Sequence, residues 1–92
     1  MTTVRSLTAV TARLETATET LAEYIGYLSS EIDAEQDKAE SNAERIGALE
    51  QQLDIVIGER RAITPDNLAL INRALYIYAP LLKLLRSSTQ EG

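Results

Sequence analysis

From Val4 onward the chain sets an apolar or β-branched residue at alternating steps of three and four: Val4, Leu7, Thr11, Leu14, Thr18, Leu21, Ile25, Leu28 and Ile32. A seven-residue repeat of this kind is the period of a helical seam, not the strict alternation of a half-buried strand. With Val4 as position a, the a positions hold Val4, Thr11, Thr18, Ile25 and Ile32, and the d positions hold Leu7, Leu14, Leu21 and Leu28. β-Branched residues at a with Leu at d favour two parallel strands in a coiled coil, although Thr11 and Thr18 weaken this seam.

The polar stretch DAEQDKAESNAE, residues 33–44, keeps the same phase. It places Glu35 and Asn42 at d and Ala39 at a, and the apolar seam resumes at Ile46, Leu49, Leu53 and Val56. With no Gly or Pro inside it, the pattern predicts one continuous helix over 3–57, about 80 Å long at 1.5 Å per residue. The competing reading is a break near Ser41, where SNAE fits a capping box with Ser41 as N-cap and Glu44 at the third helical position. Polar residues at d are costly in a dry seam, so Glu35 and Asn42 either fix register or make a wet middle.

The segment GERRAITPDN, residues 58–67, is the strongest punctuation. Gly58 is expected to close the first helix, and Thr64 to cap a second one with Pro65 at its first position. The second helix is predicted over 65–86, followed by a disordered tail over 87–92. It contains ALYIYAPLLKLL, residues 74–85, the most apolar stretch of the chain, with Pro80 inside it.

That last helix carries two apolar stripes at helical spacing. One is Leu68, Ile71, Leu75, Tyr78, Leu82 and Leu85; the other is Leu70, Ala74, Ile77, Leu81 and Leu84. A helix packed on one partner needs a single stripe, and exposing several large apolar side chains costs about 1.5 to 3 kcal/mol each. A two-helix hairpin offers only the Ile46 to Val56 seam, so the second stripe predicts another chain. The expected interface takes Leu7, Leu14, Leu21, Ile25, Leu28 and Ile32 from the first seam. It continues through Ile46, Leu49, Leu53 and Val56, and through Leu70, Ile71, Leu75, Ile77, Tyr78, Leu81, Leu82 and Leu85. Val10, Ala17, Ala22 and Tyr24 widen the first seam and offer a further surface.

Composition narrows the chemistry. The 92 residues suit one small all-α domain, a helical hairpin that oligomerises into a bundle. There is no Cys and no His, which removes disulfides, thiolate metal sites, the commonest general base near neutral pH and the usual zinc ligand. The net charge of −5 argues against a nucleic-acid partner. The apolar stretch is too short to span a membrane, and no secretory signal opens the chain, so a cytoplasmic location is expected.

Other candidate sites are weak. Asp33, Glu35, Asp37, Ser41 and Glu44 match a calcium-loop spacing, but Lys38 stands where the turn needs Gly. Glu15, Glu19 and Glu23 form a like-charged column suited to solvent. Tyr24 and Tyr27 flank Gly26, either where another helix approaches closely or around a tolerated surface Gly. No catalytic residue, metal or cofactor is expected. The sequence predicts a non-enzymatic protein–protein interaction module, such as a small chaperone, adaptor or inhibitor, acting as a homodimer or homotetramer. The alternative is a purely structural coiled-coil spacer or assembly component.

Overall fold

The computed structural model describes the backbone of residues 2–91 and the side chains of residues 9–88. The described chain is all-α, with three helices and no strand. Helix α1 spans Thr2–Gln36 and α2 spans Ala43–Ala62. Helix α3 is one rod made of Leu68–Arg73, a wider π turn over Ala74–Tyr78, and Ala79–Glu91. The molecule measures 60 × 27 × 15 Å, its long dimension set by α1.

The expected continuous helix over 3–57 is corrected to a hairpin, because the chain turns back over residues 37–42. Glu35 organises the reversal. One carboxylate oxygen accepts the Asn42 backbone N–H at 3.1 Å, and the other accepts from Lys38 Nζ at 3.1 Å and meets Arg45 Nε at 3.2 Å. Asn42, not Ser41, is the N-cap of α2, its side chain accepting the Arg45 N–H at 3.1 Å. In a capping box a residue of the new helix would satisfy the cap's own N–H. Here Glu35 of the preceding helix does so, which ties the two helix ends together.

The second boundary also differs. Gly58 does not end the helix, which continues through Arg60 and Arg61 to Ala62. Those cations suit the negative end of the helix dipole. Thr64 is not the next cap. The residue before a proline is driven out of the helical region, and Thr64 and Pro65 form a turn in which the Asn67 N–H donates to the Thr64 carbonyl at 3.1 Å. Asn67 then caps α3, accepting the Leu70 N–H at 3.1 Å. So α3 begins at Leu68 rather than Pro65, and it runs to Glu91 rather than Arg86; Gly92 lies outside the described residues.

The π turn directly precedes Pro80. Proline has no N–H for the Tyr76 carbonyl and its ring crowds that carbonyl. The widened turn relieves the crowding, and the Ala79 N–H donates to the Ala74 carbonyl, five residues back.

Helix α2 runs antiparallel to α1, and α3 runs parallel to it, as the Arg13–Asn72 and Glu23–Arg86 contacts show. Both pack on α1. One face of α1 gives Leu21 and Leu28 to the core, and Val56 meets them from α2. Ala17, Thr20 and Tyr24 are buried beside Ile71, Ala74, Tyr78 and Leu82 of α3. The main support of α3 is therefore α1, not the Ile46 to Val56 seam. Thr18 and Thr20 keep their hydroxyls satisfied by donating to the Leu14 and Thr16 carbonyls at 2.8 and 2.9 Å.

Candidate functional site

Helices α2 and α3 both lean on α1. Near the turn they are bridged: Tyr78 Oη donates to Glu59 Oε1 at 2.7 Å, and Arg73 donates to the other Glu59 oxygen. Farther along α3 from this bridge, the three helices line a groove of about 500 Å³. Its floor is Tyr24, Tyr27 and Leu28 of α1; one wall is Ala48, Leu49 and Gln52 of α2, and the other is Tyr78, Leu81 and Leu85 of α3. The far end is polar. Tyr27 Oη donates to Glu31 Oε1 at 2.9 Å, and Arg45 Nη2 lies 3.6 Å from the same oxygen.

The groove is apolar along its middle, and its lining includes one charged pair, Glu31 with Arg45. The Tyr24 and Tyr78 rings meet with centroids 5.1 Å apart at a 55° tilt, so the floor and one wall form a continuous aromatic surface. Burial, followed by the Glu59 carboxylate, pushes the Tyr78 hydroxyl up to about 12. Burial also raises Tyr24 and Tyr27, with Gln52 opposing the shift at Tyr24 and Glu31 reinforcing it at Tyr27. Near neutral pH all three phenols are protonated donors. Such a lining suits the binding of an apolar side-chain row with a few hydrogen bonds at its edge, and it presents no activated nucleophile.

Beside the groove, on the outer side of α3, Ile77 is 58% exposed and Leu84 is 65% exposed. Leu81 lies between them in the helical row and also lines the groove. The exposed row and the groove thus share an edge.

Most of the sequence-predicted interface is used within the chain. Leu21, Leu28, Ile32, Val56, Leu70, Ile71, Tyr78 and Leu82 are buried, while Leu14, Ile25, Leu49, Leu53, Leu75 and Leu81 are half-buried against that core. Ile46 and Leu85 are half-buried and Ile77 is exposed. Leu7 and Val4 have side chains outside the described residues. Of the residues expected to widen the first seam, Ala17 and Tyr24 are covered by α3, Val10 is half-buried and Ala22 is exposed. Glu35, weighed as a calcium ligand, is held by the turn, and Glu23 of the acidic column pairs with Arg86 at 3.1 Å. The groove residues Glu31, Arg45, Ala48 and Gln52 carried no sequence signal, because their convergence depends on the hairpin reversal.

Neither a protein-family model, nor a curated protein, nor a solved structure matches the chain.

Proposed function

We propose that the protein is a non-enzymatic helical interaction module that works as a homo-oligomer, binding a polypeptide helix across the groove and the adjoining row of Ile77, Leu81 and Leu84. The observation that carries this reading is the shared edge between an apolar groove and an exposed apolar row. Covering large apolar side chains returns about 1.5 to 3 kcal/mol each, which is substantial beside the stability of a small domain. Helix-in-groove recognition reads such a surface through side chains spaced three and four apart, the spacing of Ile77, Leu81 and Leu84. The Glu31–Arg45 pair would limit how far a bound helix slides toward that end.

The test is a double variant, Ile77→Asp with Leu84→Asp. Both positions are exposed, so helicity by circular dichroism should match the parent. Association, read by light scattering for self-assembly and by affinity capture for other proteins, should fall at least tenfold. Unchanged association in both assays would overturn the reading.

The elongated shape, 60 Å in its longest dimension, favours one alternative: a structural spacer or assembly component. A spacer with no transient partner leaves no apolar patch open in its assembled state. Saturable binding of a hydrophobic dye to the assembled protein, lost in the double variant, would count against it.

A further inference from the structure

We infer that the occupant of this face is a second copy of the same chain, docked with its α3 antiparallel to the first about a two-fold axis between Pro80 and Leu81. Each copy sets Ile77 against Leu84 of the other, with Leu81 next to the axis. The inference rests on the proposed reading of the face as an interaction surface and names its partner.

Self-complementarity is the first argument. A two-fold interface must offer the same patch on both sides, as a row does when its members pair with one another about the axis. Here the exposed row and the groove flank the same edge of α3, with Leu81 belonging to both.

Area is the second. The chain exposes 6499 Å² for a mass of 10.1 kDa, about 1,200 Å² more than a compact monomer of that mass. Its radius of gyration is 15.9 Å, against about 12 Å for a compact chain of this length. A stable interface takes about 800 Å² from each partner, which this excess accommodates.

Charge sets the direction. Parallel α3 helices would bring Arg73, Lys83 and Arg86 of one copy level with the same residues of the other and align the two helix dipoles. The antiparallel arrangement brings these three cations level with Ser88, Tyr78 and Leu75, opposes the dipoles, and pairs Ile77 with Leu84 across the axis. Helix α3 has a competing occupant to exclude, since Leu68–Ser88 is long and apolar enough, by length and composition, to cross a membrane. The net charge of −5 disfavours an anionic bilayer, and the Ile71, Ala74, Tyr78 and Leu82 face of the helix is already covered by α1.

The chain has no native cysteine, so single Ile77→Cys and Leu84→Cys variants report the geometry directly. When the two are mixed, allowed to exchange and oxidised, the mixed disulfide should exceed either self-linked product several-fold. An Asp54→Cys control, exposed on α2, should stay largely unlinked. Light scattering of the parent should give twice the 10.1 kDa chain mass, and Leu84→Asp should return it to one chain. A parent that stays monomeric, or self-linked products that dominate the mixture, would overturn the inference. So would a monomer that floats with phosphatidylcholine–phosphatidylglycerol vesicles, which would make the face a lipid surface. A monomer that captures another protein through Ile77 and Leu84 would overturn the second copy while leaving the interaction face standing; indifference of all association to those residues would overturn both.

Discussion

The Tyr78 hydroxyl donates to Glu59 at 2.7 Å, joining α3 to α2. Arg73 holds the other oxygen of the same carboxylate, so replacing Tyr78 with Phe leaves Glu59 paired but removes one hydrogen bond. Tyr78→Phe should cost about 1 kcal/mol at neutral pH. The hydroxyl titrates near 12 in the folded chain against an ordinary 10.0, because of burial first and Glu59 second. The folded state therefore holds this proton more tightly than the unfolded state does. Its contribution is complete below pH 10.0 and is lost as pH rises toward 12. Urea unfolding at neutral and strongly alkaline pH should show the gap between parent and variant narrowing with pH; a constant gap would mean that the hydroxyl does not titrate with folding.

Glu35 gives the opposite pH dependence. The Asn42 N–H, and after it Lys38, hold its carboxyl below the ordinary 4.5. The folded state favours the charged form, so the stabilisation is complete above pH 4.5 and is lost as pH falls through the lower folded value. Glu35→Gln should lower the melting temperature at neutral pH and converge on the parent in acid. Amide exchange should quicken at Asn42, whose N–H loses a charged acceptor. An unaltered melting temperature with unaltered exchange would show that the turn at 37–42 does not depend on this carboxylate.

Leu21 is fully buried where α1 meets the other helices. Leu21→Ala should cost about 2 to 5 kcal/mol, the range for deleting a buried Leu side chain when its surroundings relax only partly. In a small domain that is a large share of the total, so the variant should unfold at much lower urea. A loss under 1 kcal/mol would mean that the helices can close over the gap.

The heptad count located Leu21, Leu28, Ile32 and Val56, all of which are buried, because an apolar residue at helical spacing is a local signal. It missed Thr20, and gave Ala17 and Tyr24 only an outer face, because burial there is decided by α3 docking on α1. The break at 37–42 was hidden for a related reason. An antiparallel α2 returns the same apolar spacing to α1, so the phase survives the reversal, and the turn is held by the long-range Glu35–Asn42 bond rather than by Gly or Pro. Two stripes on α3 were legible, and so was Pro80 inside the helix. Residue spacing did not record the π turn over Ala74–Tyr78, nor that Leu70 and Ala74 of the second stripe are buried while Ile77 and Leu84 beyond them are exposed. The groove was illegible altogether, since its lining comes from three helices that only the folded chain brings together.

Gly26 offers a separate test of how α1 uses its outer surface. Its flanking Tyr24 and Tyr27 made a close helix approach one reading of this residue. Yet a methyl group added there would meet no atom within 4 Å, and the residue is exposed inside regular helix. Gly26→Ala should therefore stabilise the chain by about 1 kcal/mol, by restricting the unfolded backbone and improving helix propensity. Gly58, also inside a helix with open space around it, should respond in the same direction. The check is urea unfolding of each variant beside light scattering. Higher stability with unchanged assembly is the expected pair of results, because neither position lies in the groove or on the Ile77 to Leu84 row. Higher stability with weakened assembly at Gly26 would instead move the contact between copies from α3 to the outer face of α1.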